Sequence, residues 1–299
     1  SQVGPVRIVY VDSVSTDGSV AAARARGAEV VELDTDIPFT AARARNAGLD
    51  RLRTGTAPPL VQFIDGDCAI RSEWLGTARA FLTDHPQAAV VCGRRRERFP
   101  DASVYNRLMD TEWDTPIGAA RACGGDALMR MEALEAVGGF DPGLIAGEEP
   151  EMCLRLRALG WQVWRIDAEM VLHDAAMTRF GQFWKRMRRA GHAAAEGAAM
   201  HGAPPERHGV RARNSALVWG LALPLGTILS GLAFGGWGLI PALLYPAQIL
   251  RLWLRFGGGR HAAERAFFLV IGKFAEARGV VEYHLNARTG QNAGLIEYK

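Results

Sequence analysis

Short apolar, β-branched runs alternate with amphipathic stretches through the first half of the chain. Residues 6–11 form one such run and stop at Asp12; residues 29–33, 60–64 and 88–92 repeat the pattern, and the third stops at Asp65. Runs this short, bounded by turn signals, read as buried strands. Between them lie helix signals. Asp17-Gly18-Ser19 opens an Ala/Arg helix running to about Arg26, and a second helix over 39–52 has Thr40 as its cap. A third over 72–83 has Ser72 as cap and Glu73 in its first turn. Strands separated by helices predict an α/β domain on a doubly covered, mostly parallel sheet. Ligands of such sheets sit beyond the carboxyl ends of strands, where Asp12 and Asp65 both fall. From residue 94 to about 123 the pattern breaks into a basic, then Trp/Asp/Pro-bearing stretch that reads as a long functional loop. Helices over 131–137 and 150–159 follow, then a strand over 161–166 leading to His173.

The last third has a different periodicity. Phe180, Phe183, Trp184 and Met187 recur near helical spacing among Lys185, Arg186, Arg188 and Arg189, the pattern of a helix lying on an anionic membrane surface. Residues 214–250 contain no Asp, Glu, Lys, Arg or His. A bilayer span takes roughly 20 apolar residues. This run therefore predicts a hairpin of two spans turning near Gly235-Gly236. Arg207, Arg211 and Arg213 before it and Arg251, Arg255 and Arg260 after it place both ends in the cytoplasm. The expected division is a catalytic domain over 1–178, a basic amphipathic helix and linker over 179–213, the hydrophobic hairpin over 214–256, and an amphipathic helix and tail over 257–299.

Composition narrows the picture. Hydrophobic residues make up 48% of the chain and charged residues 22%, which excludes wholesale disorder. The net charge is only +3, but basic residues crowd into 94–98, 185–189 and 207–213, which points to anionic partners. These clusters lack the aromatic interleaving of a nucleic-acid stacking surface, so no nucleic-acid partner is expected. Cys68, Cys92, Cys123 and Cys153 form no C-x-x-C pair and read as reduced thiols of a cytosol-facing protein.

Candidate chemistry begins at Asp65-Gly66-Asp67. Two carboxylates two residues apart, after a core strand, can face one hard cation of the Mg²⁺ or Mn²⁺ kind that bridges carboxylates to phosphates. Glu148 and Glu149 open a helix, and mutual repulsion there can raise one of them toward a working base. Gly124-Gly125-Asp126 is a loop that lets backbone approach a ligand.

Taken in order, Val11-Asp12-Ser13-Val14-Ser15-Thr16-Asp17-Gly18-Ser19, Ala44-Arg45-Asn46-Ala47-Gly48, Asp65-Gly66-Asp67, the Glu148-Glu149 helix with its Cys153-Leu154-Arg155-Leu156 continuation, and His173 resemble the family 2 glycosyltransferases of the GT-A fold. The resemblance covers roughly residues 6–174. The hydrophobic hairpin and the closing residues 295–299 are similar to bacterial members of the succinoglycan-synthesis ExoA type. The resemblance implies a Rossmann-like GT-A fold and an inverting hexosyl transfer from a nucleotide-diphosphate sugar. It implies a lipid-linked or polysaccharide acceptor, at the cytoplasmic face of a bacterial inner membrane. It also implies that Asp12, Arg45, Asp65, Gly125 and Asp126 bind the nucleotide-sugar, that Asp65, Asp67 and His173 hold the metal, and that Glu149 or Glu148 is the base. The family normally opens with a strand and helix ahead of the Asp12 turn, and here only five residues precede Val6. The expectation is a chain without that first unit. Its alternative function is a non-catalytic relative acting on the membrane with a partner subunit. A nucleotidyltransferase would need a Gly-rich, basic phosphate loop near the N-terminus, and none is present.

Overall fold

A computed structural model describes residues 6–290, so the closing 295–299 segment lies outside the described residues. The chain divides into two compact units, residues 1–101 with 109–176, and residues 102–108 with 177–299.

The first unit alternates strands and helices: β1 (Val9–Asp12), α1 (Ser19–Ala25), β2 (Glu29–Glu32), α2 (Ala41–Arg53), β3 (Leu60–Phe63), β4 (Cys68–Ile70), α3 (Trp74–Asp84) and β5 (Ala88–Glu97). Then come α4 (Val104–Glu112), whose residues 104–108 count with the second unit, β6 (Gly118–Ala120), β7 (Ala127–Arg130), α5 (Met131–Ala136), α6 (Glu148–Ala158) and β8 (Gln162–His173). The α/β, Rossmann-like class expected from the alternation is present, but the sheet is mixed rather than mostly parallel. β1 and β2 pair in parallel as a small sheet, and the larger sheet runs β3-β7-β5-β8-β4 with β6 also on β8. Only β5–β8 is parallel there; β3–β7, β5–β7, β4–β8 and β6–β8 are antiparallel. The antiparallel members are strands of three or four residues (β4, β6, β7), too short to show a period in the sequence.

Residues 94–123 are not one loop. β5 continues through the arginine run to Glu97, α4 follows, and β6 pairs with β8. Arg94, Arg95 and Arg96 are strand residues because β8 supplies a full-length parallel partner for them. Ser72 does not cap α3; the helix starts at Trp74, whose buried indole donates to Gln62 Oε1 at 2.7 Å, so core packing sets its start. Thr40 does cap α2, its hydroxyl accepting from Arg43 N at 3.1 Å. The core is packed tightly enough under β5 that a Cβ on Gly93 would lie 2.5 Å from Ala168 O and 2.6 Å from the Trp74 ring.

The second unit is helical: α7 (Phe180–His201), α8 (Val210–Leu217), a π-helical turn (Val218–Ala222), α9 (Leu223–Phe234), a 3₁₀ stretch (Gly235–Leu243), α10 (Leu244–Arg255) and α11 (Gly259–Thr289). α9 ends with Gly235 as its C-cap, and the Tyr245 hydroxyl donates to Trp219 O at 2.7 Å. Val210–Arg255 is the one helical stretch among the described residues that is long and apolar enough to cross a membrane, and none of its most apolar window is buried. The aromatic stripe of α7, expected to lie on a membrane surface, is instead partly consumed by packing. Phe183 is buried against Tyr105 and Phe268, and Met187 lies over Gly272 of α11. Helix α11 is approached closely enough that a Cβ on Gly191 would lie 2.0 Å from Glu276 O, one on Gly220 2.0 Å from Lys273 O, and one on Gly279 2.0 Å from Arg188 O.

Candidate active site

The site is built where β3 and β8 end. Asp65-Gly66-Asp67 is the turn between β3 and β4, and the antiparallel β4–β8 pairing sets Cys68 opposite His173, at the last residue of β8. Asp67 Oδ1 and His173 Nε2 thereby come to 3.3 Å. With the Cys68 thiol, their donor atoms all lie within 4.8 Å of one another. An octahedral Mg²⁺-type ion with ligands at about 2.1 Å places neighbouring donors about 3 Å apart, so the Asp67–His173 edge fits two positions of such a shell. Burial, reinforced by Asp126, pushes the Cys68 thiol up, and a protonated sulfur is a poor donor to a hard cation. The metal set that the residues favour is therefore Asp67 and His173. Trp113 stands edge-on to the His173 ring at 4.5 Å between centroids and fixes its plane.

Asp65 faces elsewhere. Its carboxylate meets Arg45 Nη2 at 2.8 Å and Arg95 Nη2 at 3.8 Å. Burial opposes its ionisation, but the two guanidiniums outweigh burial and hold the carboxyl below the usual range. Arg45 also pairs with Glu148, so α2 ties the β3 turn to the start of α6. Asp126 is fully buried; it accepts the Asp65 amide at 2.8 Å and pairs with Arg95 at 2.6 Å. Between these groups sits Gly125. A Cβ there would come within 2.6 Å of Arg45 Nη2 and 2.8 Å of Asp65 Oδ2, so only glycine leaves this pairing undisturbed.

Glu149 lies behind the same loop. One of its oxygens accepts from Cys123 N at 2.7 Å and the other from Gly124 N at 2.8 Å, while the Cys153 thiol donates to the first at 2.9 Å. Burial pushes its carboxyl up despite these donors. Asp12 ends β1 in the small sheet. It accepts from Val14 N at 2.8 Å and Ser15 N at 2.9 Å, fixing a turn in which Val14 takes φ 73°, a left-handed backbone that a β-branched residue avoids. Hydrogen bonds from the Ser15 side chain and backbone hold the Asp12 carboxyl below its ordinary value.

The structure thus joins Arg45, Asp65, Asp126, Glu148 and Glu149 around Gly125, and sets Asp67 with His173 on the adjoining edge; Asp12 belongs to the separate β1 turn. Sequence reasoning passed over Arg95 and Trp113. Arg95 links Asp65 to Asp126 and lies 5.4 Å from the Trp113 ring. Their signal was the arginine run and the lone Trp in a stretch that read as loop.

Residues 2–138 match the model of Glycosyl transferase family 2. That segment, somewhat under half of the chain, is similar to a family 2 glycosyltransferase domain. The mannosyltransferase PcManGT from Pyrobaculum calidifontis, in complex with GDP-Man and Mn²⁺, is 20% identical, with a TM-score of 0.55 over 94% of this chain and 78% of that one. TarS residues 1–349 from S. aureus are 15% identical over 95% of this chain and 82% of that one, with a TM-score of 0.45. The glucosyl-3-phosphoglycerate synthase from Mycobacterium tuberculosis, with Mn²⁺, UDP-Glc and phosphoglyceric acid, is 18% identical over 66% of this chain and 69% of that one, with a TM-score of 0.45. No curated protein matches the chain. The first of these structures shares its fold with this chain.

Proposed function

We propose that the chain is a metal-dependent, inverting hexosyltransferase that moves a sugar from a nucleotide-diphosphate donor to a lipid-linked or glycan acceptor. The observation that carries this reading is the Asp67–His173 edge, 3.3 Å wide, at the end of β8 and next to an arginine-clamped Asp65. Two donors on a rigid strand edge suit a cation that completes its shell with phosphate oxygens. A bound divalent cation supplies charge neutralisation for the departing diphosphate. Asp12 would receive the base or ribose and Asp65 the ribose, while Gly125 and Asp126 shape the floor on which the donor sugar rests.

Of the two glutamates, Glu148 is committed to Arg45, whereas burial raises the proton affinity of Glu149. We take Glu149 as the base that removes the acceptor proton, and Glu148 as the residue that positions Arg45. The uncharged hairpin, exposed along its apolar window and flanked by arginines, supports placement of the enzyme at the cytoplasmic face of a bacterial inner membrane.

The test is binding and turnover of a panel of UDP- and GDP-sugars by the full chain in detergent, with Mn²⁺, Mg²⁺ or chelator. At least one donor is expected to bind only with metal, and Asp67→Ala and His173→Ala should each abolish that dependence while the protein stays folded. A folded protein that binds no donor with either metal would overturn the proposal. Flotation on liposomes, lost when residues 214–250 are deleted, tests the membrane assignment.

A further inference from the structure

A cavity lies on the first unit, lined by Arg94, Arg96, Asp114, Ile117, Arg165 and Glu169 among others, with a volume of about 370 Å³. Arg165 and Arg94 are only 3% and 6% exposed. Arg94 is held by Asp110 at 3.0 Å and Arg96 by Glu169 at 2.8 Å. Arg165 donates through Nη1 to Ile166 O, but among the described residues its one ion pair is with the exposed Asp114 at 4.0 Å, and its buried Nε has no hydrogen-bond partner. A buried guanidinium whose Nε is unpartnered carries unused hydrogen-bonding capacity.

Charge decides what the cavity suits. Three arginines are matched by Asp114, Asp167 and Glu169, so the lining is neutral overall. A phosphate would gain from the arginines but meet three carboxylates. A neutral polyol meets no such conflict, since each hydroxyl both accepts from a guanidinium and donates to a carboxylate. Ile117, 59% exposed, adds an apolar surface for the C–H face of a ring.

Position ties the cavity to the reaction. Arg95, between two of its arginines, contacts Asp65 and Asp126, and Trp113, beside Asp114, packs on His173. Along β8, Glu169 and Arg165 precede His173 by four and eight residues, up to about 13 and 26 Å at the rise of an extended strand. That is farther than one sugar ring.

We infer that this cavity is a distal acceptor subsite that binds a neutral sugar unit of a glycan acceptor, away from the unit that reacts. The inference rests on the glycosyltransferase reading and specifies its acceptor. The test is saturation-transfer NMR on the full chain in detergent, with Mn²⁺ and a nucleoside diphosphate present. The probes are the methyl glycosides of glucose, galactose, mannose and N-acetylglucosamine. At least one should bind, and Asp167→Ala and Ile117→Asp, both at exposed positions, should each weaken it about tenfold, the scale of one or two lost hydrogen bonds or of lost ring contact. Metal-dependent nucleotide binding should be unchanged in both variants. No binding by any glycoside, binding indifferent to both substitutions, or displacement by equimolar inorganic phosphate would each overturn the inference. Loss of nucleotide binding in the unmodified chain would instead count against the proposed function.

Discussion

Two glycines of the site, Gly66 and Gly125, differ sharply in the space around them. In Gly125→Ala the new methyl would lie 2.6 Å from Arg45 Nη2, 2.8 Å from Asp65 Oδ2 and 3.2 Å from Asp65 Oδ1. Restoring ordinary contact requires these groups to move by most of an ångström. Arg45 cannot swing aside freely, because Glu148 holds its other nitrogen and its side chain is only 12% exposed. The Arg45–Asp65 bond, now 2.8 Å, must therefore stretch. Losing one charge-assisted bond costs about 1.5–3 kcal/mol. The smaller entropy of the unfolded alanine chain returns about 0.4–1 kcal/mol. The net loss is about 0.5–2.5 kcal/mol, or roughly 1–10 °C in Tm for a unit of this size. Gly66→Ala is the internal control: nothing lies within 4 Å of its added Cβ, so it should be neutral or slightly stabilising. Thermal melts of both variants, with donor affinity measured alongside, decide the matter. Donor binding should weaken in Gly125→Ala, since Asp65 is the displaced group. Equal melts for the two variants, or a Gly125→Ala melt within 1 °C of wild type, would refute the steric reasoning.

Three further outcomes are expected. Gly93→Ala should destabilise by about 3 kcal/mol or more, because its Cβ meets the Ala168 carbonyl and the buried Trp74 ring, which cannot retreat; a denaturant midpoint checks this. Since burial pushes Glu149 above the ordinary glutamate value, the acidic limb of the kcat profile should lie above that value; Glu149→Gln should cost about 10²–10⁴ in kcat and Glu148→Gln far less. The same raised value fixes a stability sign. The folded state holds the Glu149 proton more tightly than the unfolded chain. Wild type should thus lose stability relative to Glu149→Gln as pH rises from the ordinary glutamate value through the raised one, as paired melts across that range would show.

Much of the site was legible because its residues sit at ends of elements that the sequence marks clearly. Leu60–Phe63 is an apolar run cut off by Asp65, and Thr40 announces α2, which carries Arg45. His173 was readable as a candidate, but not as the last residue of a twelve-residue strand, since Arg165, Asp167 and Glu169 interrupt any apolar run. The arginines of β5 were misread for the same reason: the sequence shows polar residues, while the parallel partner and the carboxylates of Asp110, Asp126 and Glu169 that let arginines sit in a sheet come from distant segments. Arg45 could be named as a donor-binding residue, yet its double grip on Asp65 and Glu148 is a product of tertiary placement alone. In α7 the aromatic period was right and the share of it that packs inward was not legible, because the periodicity of an apolar face does not state whether lipid or α11 covers it.

The three glycine contacts on α11 have a mechanical consequence. At Gly191, Gly220 and Gly279 backbone meets backbone with no intervening side chain. Side chains between helices act as compliant spacers that can change rotamer and let one helix slide past another; bare backbone offers no such play. The π-turn at the root of the hairpin, α7 and α11 are therefore fastened at fixed points, and a push on the hairpin is passed to both helices without slack. If a bilayer tilts the hairpin, it turns this helical unit as one lever.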